Sequence, residues 1–98
     1  MNQKEREYQE YIKSLSYVKR SKNRIAVVKS LGETLKIPSD IANEMNLRIN
    51  QISAILSDLK KEEICECINE EDKVGRLYQL TPKGVKVYKF LLDMEKYS

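Results

Sequence analysis

The 98-residue chain contains no histidine at all. That absence removes the usual general base near neutral pH, the commonest transition-metal ligand, and every Ser/His/Asp or Cys/His nucleophilic arrangement. No Gly-rich phosphate loop or paired-carboxylate arrangement compensates, so no catalytic residue is assigned and the chain is not expected to be an enzyme. Cysteine is scarce too. Cys65 and Cys67 are too few for the multi-bridge framework of a secreted mini-protein and too close for an unstrained bridge, so both are expected to be reduced thiols. The chain has no apolar N-terminal signal region and no run long enough to span a bilayer, which predicts a cytoplasmic protein with no membrane partner.

What remains is one small domain with a modest core, for which partner burial would add stability. The net charge of +3 says little by itself. Its distribution says more: residues 19–36 hold six cations (Lys19, Arg20, Lys22, Arg24, Lys29, Lys36) against Glu33, whereas residues 62–74 hold six carboxylates against Lys73. A basic block and an acidic block imply a molecule with two electrostatic ends.

The most informative stretch is Ile37 to Ile64. Pro38 suits a first helical position, and Ile41 and Met45 make the apolar stripe of a short helix over 38–45; Ser39 as the cap would start it two residues later. Asn46 ends that helix where a left-handed residue is needed, and Ala42 stands where two helices must approach. A second helix follows, with Ile49, Ile52, Ile55, Leu56 and Leu59 as its core stripe. Its other face carries Asn50, Gln51, Ala54, Ser57, Asp58 and Lys61. This is a helix-turn-helix.

Around it, Gln3 to Leu15 places Tyr8, Tyr11, Ile12 and Leu15 at helical spacing, and Tyr17 to Arg20 reads as a short extended connector. Ser21 caps a helix that runs through Leu31 and stops at Gly32, with Ile25, Val28 and Leu31 pointing inward. Thr34 to Ile37 is expected to pair with a hairpin built from 64–69 and 76–80, whose tip is polar. Period-two alternation puts both thiols on one face, the core-facing one. Thr81-Pro82 restarts a helix carrying Val85, Val87, Tyr88, Phe90, Leu91, Leu92 and Met94, too many apolar residues for one buried stripe; Val85, Tyr88 and Leu92 share one side at i, i+3 and i+7, which is expected to pack on the domain.

Ile41-Ala42, Asn46-Leu47 and Ile52 through Leu59 resemble winged helix-turn-helix transcription regulators, especially short archaeal ones of MarR-like and ArsR-like type. Gly75 to Gly84 (GRLYQLTPKG) resembles the second wing strand and the "LTxKG" helix start of that family, and Ser21 to Arg24 resembles the start of its first core helix. The likeness covers roughly residues 17–92. Two departures stand out: Ile37 replaces the usual capping Thr or Ser, and Glu63 stands where Gly is common, which predicts a less sharp exit from the second helix.

The resemblance implies a mainly α fold with a small β-hairpin, an N-terminal dimerisation helix over 1–18, a winged core over 19–81 and a C-terminal dimerisation helix over 82–98. It implies a homodimer on double-stranded DNA, with a recognition helix over residues 48–62 in the major groove and no cofactor. Asn50 and Gln51 suit bidentate contacts to adenine, and Ala54 a thymine methyl. Arg20, Lys22, Arg24, Arg48, Ser57, Lys61, Lys73 and Arg76 are then expected on phosphate. Apolar side chains in excess of the core, namely Tyr8, Tyr11, Ile12, Leu15, Val87, Phe90, Leu91 and Met94, are expected to form the dimer contact. Because the wing is acidic, a protein-interaction module is the alternative; a thiol-based metal or redox sensor on Cys65-x-Cys67 is another. No metal site is assigned, since two cysteines without histidine fall short of a tetrahedral set.

Overall fold

The computed structural model describes Met1 to Tyr97; Ser98, the last residue of the expected 82–98 segment, lies outside the described residues. Five helices and one two-stranded hairpin follow in the order α1 (Gln3–Lys19), α2 (Lys22–Leu31), α3 (Pro38–Met45), α4 (Ile49–Lys61), β1 (Cys65–Cys67), β2 (Tyr78–Leu80) and α5 (Pro82–Lys96).

The first helix begins at Asn2, whose Oδ1 accepts the Glu5 N–H at 2.8 Å. It does not stop at Leu15. Tyr17 to Lys19 are helical, correcting the extended connector, because the stripe that starts at Tyr11 continues through buried Leu15 and Val18 at i, i+4 and i+7. Arg24 then stacks its guanidinium 3.8 Å over the Tyr17 ring and donates to the Tyr17 carbonyl at 2.9 Å, fastening the end of α1 to α2. In α2, Ser21 accepts the Arg24 N–H as N-cap, Gly32 ends the helix with φ +49°, and Val27, Val28 and Leu31 are fully buried. Val27 belongs to the core beside Val28, while Ile25 is only half-buried.

Helix α3 starts at Pro38 with Ile37 as an N-cap that makes no side-chain bond. Asn46 is left-handed (φ 55°, ψ 43°), and Leu47 N–H returns to the Ala42 carbonyl at 3.0 Å, so the turn into α4 is closed by the backbone. Buried Ile41 and Ala42 meet buried Ile52, Leu56 and Leu59 from α4 in one core that also takes Ile64, Leu80, Val87 and Leu91. Ile49 departs from the expected stripe. The layer that covers α4 begins at Ile52, and Ile49, a turn earlier, is 54% exposed beside Pro38 and Ser39.

The α2–α3 junction is clamped by Glu44, which accepts from the Lys36 ammonium at 2.8 Å and from the Ser30 hydroxyl. These bonds, Lys36 first and then Ser30, hold the Glu44 carboxyl below its ordinary pKa. A carboxylate depressed in the folded state adds stability above its unfolded pKa and loses it as pH falls through the folded one. The pair is half-exposed, so its worth is about 0.2–1 kcal/mol. Glu44→Gln should therefore lower the urea midpoint at pH 7 and shrink its drop between pH 7 and pH 4; equal drops in both proteins would contradict this.

The exit from α4 is as sharp as with glycine, contrary to expectation. Glu63 itself takes φ +58°, and Ile64 N–H bonds the Leu59 carbonyl at 2.9 Å. A residue with a Cβ in that conformation costs about 1–2 kcal/mol, so Glu63→Gly should stabilise by about 1 kcal/mol after its entropy cost and raise the thermal midpoint about 4–8 °C. An unchanged or lower midpoint by circular dichroism would contradict the assignment.

The hairpin is shorter than the residues suggested. Antiparallel pairs join Cys65 to Leu80, Glu66 to Gln79 and Cys67 to Tyr78; Lys36 pairs with Tyr78 through two backbone bonds (3.0 and 2.9 Å), as expected for 34–37. Beyond Ile68 the Asn69 side chain takes over from the ladder, its Oδ1 accepting the Leu77 N–H at 2.7 Å. Thr81 caps α5, accepting the Gly84 N–H at 3.1 Å, while its hydroxyl and the Lys83 ammonium donate to the carbonyls of Glu63 (2.7 Å) and Glu62 (3.0 Å). The end of α4 and the start of α5 thus satisfy each other's free backbone groups.

Candidate nucleic-acid interface

Between α4 and the wing runs an open groove of about 620 Å³. One wall is the α4 stripe Ile49, Ser53, Ser57, Lys60; the other is Lys73 to Arg76, with Tyr78 and the start of α3 as its floor. Three cations line it, Lys60, Lys73 and Arg76, and no carboxylate does. Asn50, Ala54 and Gln51 lie on the adjoining exposed side of α4.

The wing tip is fixed by Asn69. Its Nδ2 donates to the Asp72 carboxylate (3.0 Å) and to the Gly75 carbonyl (3.1 Å), while Arg76 Nε donates to the Asp72 carbonyl (2.8 Å). Gly75, at φ +73°, supplies the left-handed residue of this turn, which leaves Val74 89% exposed at its apex. The acids that argued against phosphate are largely engaged: Glu70 is ion-paired with Lys60 of α4, and Asp72 is held by Asn69.

Not every expected residue reaches the groove. Lys61 sits at the far end of α4 beside Glu10, Lys13 and Lys83, on the α1 side; Lys60, which is not among the expected phosphate contacts, takes the groove position. Ser53, also outside the expected set, lines the groove as well. The spacing Ile49, Ser53, Ser57, Lys60 was the available signal, since i, i+4, i+8 and i+11 share one helix edge. Arg24 is committed to Tyr17, as described above. Lys22 lies beside Met45, next to the turn, and Arg20 and Arg48 are exposed. Gln51 has a structural duty: its Oε1 accepts the Arg48 N–H at 3.1 Å and so caps α4, leaving its amide N–H₂ free to donate outward.

The terminal helices divide differently from the expected pattern. Leu15, Val87 and Leu91 are buried within the single chain, so they do not belong to an exposed patch; α5 turns Val87 and Leu91, not Val85 and Tyr88, most deeply into the core. Tyr8, Ile12, Phe90 and Met94 are exposed, and Tyr11 is half-buried with its ring centroid 6.5 Å from that of Tyr8. Tyr11 shares a surface pocket with Lys86 of α5, and burial, then Tyr8, then Asp93 of α5 raise its pKa.

Cys65 is buried with its thiol 3.5 Å from the Leu56 carbonyl, and burial pushes its pKa up to about 12. At neutral pH it is a thiol, the form that neither attacks nor binds metal. Cys67 is half-buried and donates to Asn69 Oδ1 at 3.5 Å. Among the described residues no group of three or more His, Cys, Asp or Glu side chains is placed to hold a metal ion. No helix among them is long and apolar enough to cross a membrane.

No protein-family model matches the chain. No curated protein matches it either. Solved structures do. A double mutant of ZitR from Lactococcus lactis superposes with a TM-score of 0.70 at 20% identity, over 79% of this chain and 53% of that one; in this match the chain spans about half the neighbour's length. The apo form of the same variant gives 0.70 at 18% identity over 99% and 75% of the two chains. NadR in complex with 4-hydroxyphenylacetate gives 0.68 at 19% identity over 96% and 70%. ZitR and NadR are winged-helix regulators of the MarR family, and this chain is similar to them in fold: five helices and a small antiparallel hairpin arranged as a winged helix-turn-helix.

Proposed function

We propose that this chain is a double-stranded DNA-binding transcription regulator that acts as a homodimer. The observation that carries the reading is the groove lined by Lys60, Lys73 and Arg76, with Glu70 paired to Lys60, beside the exposed polar face of α4. In a duplex complex α4 enters the major groove, where Asn50 reads adenine through its amide and Ala54 meets a thymine methyl. Gln51 donates from its amide nitrogen while its oxygen keeps the helix capped. Arg48, Ser53, Ser57, Lys60, Lys73 and Arg76 follow one phosphate backbone along the groove, with Arg20 and Lys22 adding long-range attraction. Exposed Tyr8, Ile12, Phe90 and Met94 join two copies, so that two α4 helices face one side of the duplex and read a palindromic site.

Selecting binding duplexes from a random library tests this. The account expects two inverted half-sites with about 10–10.5 base pairs between centres. It also expects Asn50→Ala to cost about 1–3 kcal/mol on the selected site and little on random DNA. Selection of no shared sequence, or equal losses on both DNAs, would remove sequence reading.

The Lys60–Glu70 pair makes a sharper point. A phosphate that uses Lys60 must first compete with Glu70. Glu70→Gln should raise DNA affinity about two- to fivefold and steepen the log–log salt slope by about 0.9, whereas Glu71→Gln should leave the slope unchanged. Identical behaviour of the two variants would show that Lys60 stays off the backbone.

A further inference from the structure

Ile49 stands outside the core cluster and its packed neighbours. It opens α4, it is 54% exposed, and it is the one large apolar residue of that helix left in this state. The remaining isoleucines and leucines of α4 are buried or half-buried, and its exposed side is otherwise polar or Ala54. A polar residue at this first helical position would be hydrated, whereas an exposed isoleucine keeps apolar surface in water.

Its position is specific. Ile49 sits at the α4 end of the cationic groove, beside Pro38 and Ser39, and heads the stripe that continues through Ser53, Ser57 and Lys60. A chain of phosphates in that groove brings the outer edge of the major groove, on that same strand, against Ile49. The only apolar group a base presents there is the thymine 5-methyl, which leans toward its own strand's backbone. We infer that Ile49 is a specificity-determining residue that packs on a thymine methyl at the backbone edge of the major groove, a contact separate from the one assigned to Ala54. The inference rests on the reading of α4 as the DNA-reading helix and gives it a base preference. Burying one methyl against an aliphatic side chain is worth about fourfold in affinity.

The probe is a duplex selected by the protein, with each thymine replaced singly by deoxyuridine, which lacks only that methyl. Wild-type protein should lose about fourfold at one thymine per half-site beyond any thymine sensed by Ala54. Ile49→Ala should bind the parent duplex about fourfold more weakly and be indifferent to deoxyuridine at that position, while Ala54→Gly keeps the sensitivity. Circular dichroism should show unchanged helicity for Ile49→Ala, since the side chain lies outside the core. If every deoxyuridine costs the two proteins equally, Ile49 reads nothing and the inference falls while DNA binding stands. If neither protein binds any duplex at about 50 mM salt, the DNA reading falls and takes this inference with it.

Discussion

Gly84→Ala is expected to destabilise the protein by about 3 kcal/mol and lower its thermal midpoint by more than about 10 °C. Adding one methyl to a glycine inside a helix ordinarily stabilises it by about 1 kcal/mol, so the predicted sign is opposite to the helix-propensity rule. The reason is contact. A Cβ at residue 84 would stand 2.1 Å from the Ile64 carbonyl oxygen and 3.1 Å from its carbon. That carbonyl is backbone, and it accepts the Thr81 N–H at 3.0 Å, so it cannot yield without losing the bond that seats α5 on the exit of α4. The shift would propagate to Thr81 and Lys83, which cap the carbonyls of Glu63 and Glu62, and hence to the hairpin that begins at Cys65. Differential scanning calorimetry reads the outcome directly. A midpoint equal to or above wild type would mean that α5 does not press on Ile64.

Leu91→Glu should unfold the chain, whereas Ile12→Glu combined with Met94→Glu should leave it folded and separate two copies. Leu91 is 5% exposed within a core that includes Leu15, Val18 and Val87; a carboxylate there loses an apolar contact and buries a charge without a partner, together costing more than about 4 kcal/mol. That is comparable to the whole stability of a small domain. Ile12 and Met94, at 39% and 41% exposure, border the outer face of α1 and α5, where glutamate meets water in the monomer and its own charge in a dimer. Sedimentation should show twice the 11.5 kDa chain mass for wild type and one chain mass for the double variant, with matching far-ultraviolet spectra. A folded Leu91→Glu protein would overturn the assignment of the α5 faces. A wild-type monomer at micromolar concentration would remove the dimer.

The packing of Gly84 and the two faces of α5 also mark what the residues alone can and cannot convey. Helix α3 was legible to its last residue, because Pro38 and Asn46 have few alternative uses and a left-handed asparagine marks a turn by itself. The wing was legible as a hairpin, but its length was not, since a side-chain bond from Asn69 replaces ladder bonds that an apolar pattern cannot distinguish. In α5, apolar residues lie on every side, and periodicity then has no preferred direction; the choice between Val87–Leu91 and Val85–Tyr88 is made by where Gly84 lets the helix approach Ile64. The connector at Tyr17 failed for a different reason. The stripe of Tyr11, Leu15 and Val18 carries the helix past Leu15, and Arg24 then fastens its last turn to α2 by stacking over the Tyr17 ring. At the site, the residues mark which face of α4 is exposed and polar, but Lys60 and Lys61 differ by one residue and 100° of helix. Only the position of the wing decides which of them meets the groove.

The central claim, that the groove between α4 and the wing carries a phosphate backbone, is tested most directly by titrating the protein against random duplex DNA at several salt concentrations. With roughly four to six phosphates neutralised per protomer at about −0.9 in slope each, the affinity should fall about 10²- to 10³-fold per protomer between 50 and 200 mM salt. Lys73→Ala combined with Arg76→Ala should make the slope shallower by about 1.8. Binding that ignores salt, or a slope untouched by the two wing substitutions, would contradict the account.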